Sequence, residues 1–339
     1  MKHRLVVLLV LLAAVLVDGG SFGHSSAAPP ALCVAVGDSL AAGIGSTLPR
    51  ERSAAALLCQ WSQAYFGEQA ELVSLAVPGE TTRSFLEGSQ LDRLRATMDA
   101  ARRQGRTIRF VLVSLGGNDL LALADRAEAE RERAYAQFET DLAAALTAVR
   151  AAIGQTPLLM LTPYDLTEGD PDAVQTDSWW VGRFAQAIRV QATAVGGTVV
   201  DLARGFRGHI AEWTWWPVDV HPTNDGYMAI ARLAWRALGW DREAPRVTVV
   251  LPTEGAVIVR RYATVRVRVD DPGGIESVTL WVDGQEIGTL DPLPEEGEWI
   301  TLWETPWPMA GPPILVEVRA ADRAGNVGEA SVQVRLPGG

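Results

Sequence analysis

The sequence predicts an α/β domain built on a parallel sheet, followed by a smaller all-β sandwich. Between Leu32 and about Leu238, short apolar runs alternate with segments of helical length and pattern. Strands that alternate with helices form a parallel sheet with helices on both faces. Beyond Glu243 the pattern changes to short alternating strands between turn residues, as in a two-sheet sandwich. A length of 339 residues also exceeds one ordinary domain, so two domains are expected.

The first domain is predicted to contain strands and helices in strict alternation. The strands cover 32–36, 72–76, 108–115, 157–162 and 198–202. The helices cover 53–66, 89–104, a segment that ends before Gly154, 181–195 and 224–238. The third helix is the clearest, because apolar residues recur along it at intervals of three and four: Tyr135, Phe138, Leu142, Leu146, Val149 and Ile153. The polar segment 163–178, followed by Trp179 and Trp180, is predicted to be a loop. It either forms a wall of a binding site or lies in solvent with the tryptophans packed inward.

The second domain has the strand pattern of an immunoglobulin-like fold. Val265, Val267 and Val269 alternate with arginines, and Asp283-Gly284 is a favoured hairpin turn. About seven short strands in roughly 95 residues match the size of such a sandwich. Segments 270–275 and 320–326 resemble turns of bacterial Ig-like or fibronectin-III-like modules appended to secreted enzymes. Four tryptophans are expected to pack in the core and at the sheet edges, with a sugar-binding face as the alternative: Trp281, Trp299, Trp303 and Trp307.

Charge and composition exclude two classes of partner. The net charge of −11 and the pI near 4.9 argue against binding to nucleic acid or to an anionic membrane surface, since both require a basic face. With 48% hydrophobic and 21% charged residues, the chain can bury a substantial core.

The N-terminus has the pattern of a secretory signal. Lys2 and Arg4 precede an apolar run over 5–17 that is too short to cross a bilayer, and small and polar residues follow through Ala28. We therefore expect residues 1–28 to be a signal peptide and the protein to be secreted. Export permits a disulfide. Cys33 lies in the first strand and Cys59 on the following helix, however, so two buried thiols are expected.

Ser39 is the candidate nucleophile. It follows the first strand at Gly37-Asp38-Ser39-Leu40, and Gly37 can adopt the backbone angles of a sharp strand-to-helix turn. Open α/β sheets keep their sites at the carboxyl ends of the strands, and a helix N-terminus favours developing negative charge. The alternative is an ordinary turn with a capping serine.

His221 is the candidate base. It lies in a loop directly before the last helix of the domain, where Pro222 restricts the backbone. That position is again at the carboxyl end of the sheet, and Asp219 is spaced to hold the imidazole ring. His209 has no such setting and is expected to be structural or exposed.

Two further loops supply candidate donors for an oxyanion. Gly79 follows the second strand and can bring a bare N–H close to a substrate, while Asn118 follows the third strand and offers a side-chain amide. The sequence has no Cys and His cluster with zinc spacing and no EF-hand loop. Neither a metal nor a cofactor is therefore predicted.

These motifs resemble those of the SGNH (GDSL) hydrolase superfamily over about 31–238: Gly37-Asp38-Ser39-Leu40, Gly79, Gly116-Gly117-Asn118-Asp119, and Asp219 through Pro222. The resemblance implies a flavodoxin-like, three-layer α/β/α domain with sheet order 2-1-3-4-5, and ester hydrolysis without a metal. It implies that Ser39 attacks and that His221 acts as base and then as acid. The oxyanion donors would be the main-chain N–H groups of Ser39 and Gly79 and the side chain of Asn118.

One residue departs from the family pattern. The family usually has its triad aspartate three residues before the histidine, and Val218 occupies that position here. Either Asp219 orients His221, or a main-chain carbonyl such as that of Val218 does. An α/β-hydrolase is excluded by motif order, because that fold has its serine in Gly-x-Ser-x-Gly after a later strand.

The sequence thus predicts a signal peptide at 1–28, an SGNH hydrolase domain at 31–242 and an Ig-like domain at 245–339. The predicted function is secreted hydrolysis of acyl, lipid or lysophospholipid esters, which segments 78–82 and 222–227 favour by their resemblance to such members. Carbohydrate O-acetyl esters are the alternative substrates. A second alternative is a vestigial hydrolase that contacts a cell surface or polysaccharide through the Ig-like domain. Five tryptophans are expected at the rim of the site, where they would suit an acyl chain or a sugar ring: Trp179, Trp180, Trp213, Trp215 and Trp216.

Overall fold

The computed structural model describes residues 28–306 and 311–337. The predicted signal peptide, apart from Ala28, and Trp307 lie outside the described residues. In the described part of the chain, no helix combines the length and the apolarity needed to cross a bilayer.

The first domain is built on a parallel sheet. Its strands within residues 28–306 are β1 (Ala31–Gly37), β2 (Ala70–Ser74), β3 (Ile108–Ser114), β4 (Leu158–Leu161) and β5 (Thr198–Val200). All neighbouring pairs are parallel, and the order is β2-β1-β3-β4-β5. β1 is buried along its whole length, as expected for a strand covered on both faces. The predicted fold class and strand order are confirmed.

Helices cover both faces of this sheet. The helices are α1 (Ser39–Ala42), α2 (Pro49–Arg52), α3 (Ala54–Phe66), α4 (Thr82–Glu87), α5 (Gln90–Arg103), α6 (Gly117–Leu121), α7 (Glu128–Ile153), α8 (Asp177–Ala194), α9 (Leu202–Gly205), α10 (Ile210–Trp213) and α11 (Asn224–Leu238). Side chains of α4, α5, α7 and α8 form one core against the sheet. Those of α3 and α11, with the short α1, α9 and α10, form the other. Alternate residues of β1 serve the two cores, Val34 on the first and Ala35 on the second.

Helix α8 begins earlier than predicted. Thr176 caps it by accepting a hydrogen bond from the N–H of Trp179 at 3.2 Å. Trp179 and Trp180 therefore lie in the first turn of the helix rather than at the end of a loop. Trp180 is 1% exposed and belongs to the core.

The prediction of two free thiols is wrong, because Cys33 and Cys59 form a disulfide. Their Cα atoms lie 5.9 Å apart, a separation that a disulfide can span. Cys33 points from β1 toward the face of the sheet on which α3 packs. The two side chains therefore meet in the layer between strand and helix.

The second domain is a sandwich of two antiparallel sheets. Its strands in the described residues are β6 (Arg246–Leu251), β7 (Tyr262–Asp270), β8 (Ile275–Val282), β9 (Gln285–Thr289), β10 (Asp291–Pro292), β11 (Glu298–Glu304), β12 (Ile314–Asp322) and β13 (Val327–Val334). The sheet orders are β10-β11-β7-β6 and β13-β12-β8-β9. The predicted Ig-like architecture is confirmed. It has one more strand than the seven expected, the two-residue edge strand β10.

The tryptophans of the sandwich do not share one face. Trp303 is 2% exposed in the core, and Trp299 packs against the same core from β11. Trp281 lies on β8 in the other sheet, where the guanidinium carbon of Arg319 is 4.3 Å from its ring centroid. Among these described tryptophans, packing explains the positions better than a sugar-binding platform does.

Candidate active site

The turn from β1 to α1 presents Ser39 at the carboxyl end of the sheet. Gly37 has φ +111°, and a Cβ there would lie 1.8 Å from the carbonyl oxygen of Ser114. Only glycine fits where β1 and β3 approach each other so closely. Asp38 then caps α1, since its carboxylate accepts from the N–H of Leu40 at 3.0 Å.

Asp38 is buried directly beneath the turn. Burial raises the pKa of Asp38 to about 6, although hydrogen bonds from Ser114 and from the N–H groups of Leu40 and Ala41 oppose the rise. Its role in the structure is to hold the backbone of the turn, and Ser39 is left as the half-buried polar group at its apex.

Ser39, His221 and Asp219 form one hydrogen-bonded chain. His221 Nε2 lies 2.8 Å from Ser39 Oγ, and His221 Nδ1 lies 2.6 Å from Asp219 Oδ1. A carboxylate can only accept, so Nδ1 carries the proton and Nε2 is free to accept from the serine hydroxyl. The structure thus brings together the three residues that the sequence singled out.

Asp219, and not the residue at position 218, contacts His221 in the structure. The Val218 side chain is 93% exposed, so the position usually occupied by the family's aspartate faces solvent here. Asp219 instead contacts the imidazole and also accepts from the main-chain N–H of His221 at 3.2 Å. Partial burial acts to raise the pKa of Asp219, but hydrogen bonds and charge from His221 outweigh burial and hold it below its usual value.

The loop that carries His221 is braced on both sides. The N–H of Trp215 donates to the carbonyl of His221 at 3.0 Å, and the N–H of Asp219 donates to the carbonyl of Trp215 at 3.1 Å. The phenol of Tyr164 donates to the carbonyl of Val220. A short loop tied at these points holds the imidazole against Ser39 with little freedom.

Gly79 and Asn118 lie in adjacent loops that are tied together. The side-chain amide of Asn118 donates one N–H to the carbonyl of Glu80 at 2.9 Å, which leaves its second N–H available. Asp119 accepts from the N–H and the hydroxyl of Thr82 at 3.0 and 2.6 Å. Gly79 has φ +84°, and the space beside its Cα is open, with no atom within 4 Å of where a Cβ would lie. Within residues 28–306 and 311–337, no group accepts from the N–H groups of Ser39 or Gly79.

Gln90 is a buried polar residue of the site that sequence reasoning missed. It is 1% exposed at the start of α5. Its Oε1 accepts from the N–H of Gly37, and its Nε2 donates to the carbonyl of Gly37 at 3.1 Å and to Glu80 Oε2 at 2.6 Å. Gln90 therefore joins the serine turn to the loop of Gly79. A lone glutamine at a helix start carries no sequence signal for this role.

A largely apolar cavity of about 290 Å³ opens beside Ser39 and His221. Its apolar lining comes from the loops after β3 and β4 and from α6 and α8: Leu115, Leu120, Leu121, Leu123, Ala124, Leu161, Pro163, Tyr164, Leu166, Trp180 and Val181. The segment 163–178 thus supplies part of the wall, as one of the two sequence interpretations held. The size is near the lower end of small-molecule pockets, about 300–1,000 Å³.

Only part of the predicted tryptophan rim lines this cavity. Trp180 and Trp216 do, and Trp216 is 41% exposed at its edge. Trp213 instead stacks on His209, with ring centroids 4.0 Å apart. Trp215 donates its indole N–H to the carbonyl of Gly45 at 2.9 Å. Trp179 packs beneath the guanidinium of Arg183. The rings of these three residues pack against partners outside the cavity.

Comparisons with known proteins identify both domains. The model of the GDSL-like Lipase/Acylhydrolase family matches residues 35–229, and the model of a bacterial Ig domain matches residues 245–334. None of the curated proteins compared with the chain matches it.

Solved structures resemble the chain over somewhat less than two thirds of its length. The lipase Lip_vut3 from a goat rumen metagenome is 20% identical, with 62% of this chain and 99% of that chain covered and a TM-score of 0.49. The acetylxylan esterase Axe2 from Geobacillus stearothermophilus is 17% identical, with 63% and 96% covered and a TM-score of 0.49. LAE5, an α/β hydrolase enzyme from the metagenome of Lake Arreo, Spain, is 21% identical, with 64% and 98% covered and a TM-score of 0.46.

Proposed function

Because the chain belongs to the GDSL-like lipase/acylhydrolase family, we propose that it hydrolyses acyl esters through a covalent intermediate on Ser39. Membership makes it a carboxylic ester hydrolase. The observation that carries the proposal is the hydrogen-bonded chain from Asp219 through His221 to Ser39, at 2.6 and 2.8 Å, next to an apolar cavity. A vestigial site would have no reason to keep this geometry.

In the proposed mechanism, His221 Nε2 takes the proton of Ser39 Oγ as the oxygen attacks the ester carbonyl. The tetrahedral intermediate collapses, and the imidazolium returns the proton to the leaving alcohol. Asp219 keeps the proton on Nδ1 and stabilises the positive charge that develops on the ring. A water molecule then attacks the acyl-enzyme with His221 again as base. The second tetrahedral intermediate collapses as the imidazolium returns the proton to Ser39 Oγ, and the carboxylic acid leaves.

The negative charge of each intermediate would be met by three N–H groups. These are the main-chain N–H groups of Ser39 and Gly79 and the free side-chain N–H of Asn118. Their availability within the described residues supports this role. Fixed donors of this kind are worth about 10²–10³-fold in kcat for each donor removed.

The cavity supports acyl esters in preference to acetyl esters. A cavity of about 290 Å³ lined by leucines is far larger than the single methyl group of an acetyl ester needs. Burying a longer acyl chain there would gain about 0.8 kcal/mol for each methylene removed from water. Carbohydrate O-acetyl esters stay the second candidate because Trp216, exposed at the cavity edge, offers a face on which a sugar ring could stack.

We also propose that the protein is secreted. The charged and apolar pattern of residues 1–28 supports export. The Cys33–Cys59 disulfide is of the kind that persists in oxidising compartments.

The function is tested with p-nitrophenyl esters from acetate to palmitate. We expect kcat/KM to rise with chain length to an optimum beyond acetate, and Ser39→Ala to lower kcat by about 10⁴-fold or more at every length. Ser74→Ala, an exposed serine at the end of β2, is the matched control and should retain full activity. An acetate optimum together with release of acetate from acetylated polysaccharide would favour the second candidate. Unchanged activity in Ser39→Ala would overturn the mechanism.

A further inference from the structure

Three carboxylates from separate segments meet where the two domains join. Asp241 follows α11, Asp271 follows β7, and Asp322 ends β12. One oxygen atom from each lies within 4.8 Å of those from the other two. The two loops of the second domain are the ones that the sequence marked as Ig-like turns, and the proposed hydrolysis makes no use of them.

Two of these carboxylates have oxygens without a partner. Asp241 is 4% exposed, and its Oδ2 has no hydrogen bond in the described residues; nor has Asp271 Oδ1. Asp322 is fully buried and accepts from the N–H and the side-chain amide of Asn326 at 2.9 and 2.8 Å. Among residues 28–306 and 311–337, no Lys, Arg or His forms an ion pair with any of the three. Buried carboxylates in such a state need a compensating charge.

Neighbouring groups pack against the unpartnered oxygens of Asp241 and Asp271 but donate no hydrogen bond to them. A Cβ on Gly273 would lie 1.8 Å from Asp241 Oδ2 and 3.1 Å from Asp271 Oδ1. The neighbouring guanidinium of Arg323 donates to the carbonyl of Gly273 at 3.1 Å and lies 4.6 Å from the ring centroid of Trp61. The indole N–H of Trp235 faces Asp241 but does not meet hydrogen-bond geometry.

The occupant that fits this arrangement is a hard divalent cation. Calcium binds carboxylate oxygens at about 2.3–2.6 Å, so oxygens on opposite sides of the ion lie up to about 5 Å apart. The three carboxylate oxygens, all within 4.8 Å of one another, fit inside that distance. A bound proton is the competing occupant. Calcium and a proton would compete for the same carboxylate oxygens, so binding and stability measured with added calcium distinguish the two occupants.

We propose that Asp241, Asp271 and Asp322 bind one calcium ion, which fastens the segment leaving the hydrolase domain to two loops of the Ig-like domain. Ion pairs of Arg232 and Arg236 with Glu276, at 3.4 and 3.1 Å, join the same two domains nearby. The ion acts on stability and domain orientation. The inference is independent of the ester chemistry at Ser39, because none of the three carboxylates lines the catalytic cavity.

The test uses the full chain, freed of metal with a chelator and dialysed at about pH 8. Calorimetric titration with CaCl2 should give one ion per chain. Calcium at about 5 mM, above the range of about 10⁻⁴–10⁻³ M for extracellular calcium modules, should raise Tm by about 3 °C or more. Asp241→Asn and Asp271→Asn should abolish the response. Without calcium each should melt above the metal-free wild type, because repulsion is relieved. Asp270→Asn, an exposed neighbour on β7, should respond like wild type.

Other outcomes would overturn the proposal. No binding by the wild type, with stability that instead rises on acidification, would assign the site to a proton. A calcium response that persists in Asp241→Asn and Asp271→Asn would place the ion elsewhere. Equal stabilisation by MgCl2 would contradict the calcium assignment. Ester hydrolysis at 25 °C should be unchanged by calcium in every case, so failure here leaves the proposed function standing.

Discussion

The contacts of Asp219 with His221 set the state of the imidazole. The Asp219 carboxylate accepts from His221 Nδ1 and from the main-chain N–H of the same residue. This double contact fixes both the ring and its backbone, which an aspartate at position 218 could not do because that side chain faces solvent. The carboxylate beside the imidazole comes one residue later than in the family pattern, so residue spacing alone left the choice between aspartate and carbonyl open.

We predict that Asp219→Asn lowers kcat by about 10³–10⁴-fold, since an amide no longer holds the proton on His221 Nδ1 or stabilises the imidazolium. The measurement is steady-state hydrolysis of the best p-nitrophenyl ester. Val218→Ala removes the neighbouring exposed side chain and should leave kcat within about twofold. A loss of less than tenfold in Asp219→Asn would mean that a main-chain carbonyl orients the imidazole.

At the scale of elements, the helices and strands were predictable wherever the hydrophobic period was long and clear. The bounds of α11 match the predicted segment 224–238, and α7 ends before Gly154 as expected. Predictions failed where a capping residue sets the start of a helix or where two elements must pack together to bring side chains into contact. Thr176 starts α8 before the two tryptophans, and Cys33 meets Cys59 because α3 packs over β1. Short helices such as α1 and α6 have too few residues to show a period.

The hydrogen bonds from Gln90 on α5 to Gly37 in the serine turn lead to a prediction at this scale. Gln90→Ala should lower kcat by about 10–100-fold with little change in KM, because Gly37 loses both hydrogen bonds and the nucleophile shifts while the acyl cavity stays intact. Gln104→Ala, at the exposed end of the same helix, is the control. Tm of each variant is measured to confirm that it is folded at the assay temperature. If Gln90→Ala lowered kcat/KM only by raising KM, with kcat unchanged, a positioning role would be contradicted.

At the scale of the whole molecule, the predicted strand order implies that the loops carrying the four candidate site residues lie at one edge of the sheet. That is why Ser39, Gly79, Asn118 and His221 could be assembled from sequence: parallel strands share one carboxyl edge. No comparable rule joins Asp241 with Asp322, because their meeting depends on how the two domains pack. The Arg323 guanidinium over Trp61 illustrates the same limit, since one partner belongs to each domain.

The disulfide yields the last prediction, because its state depends on where the chain folds. Closing a loop with a sequence separation of 26 should stabilise the native state by about 3–4 kcal/mol through the entropy of the unfolded chain. Protein recovered from the medium should lack about residues 1–28 and show no free thiol after denaturation. A chain of residues 29–339, expressed without the signal segment in a reducing cytoplasm, is the matched control. It should unfold at lower denaturant, close to Cys33→Ala/Cys59→Ala. Two reactive thiols in the exported protein would contradict the disulfide. Retention of the chain inside the cell would contradict export, and thiol titration would then test the disulfide separately.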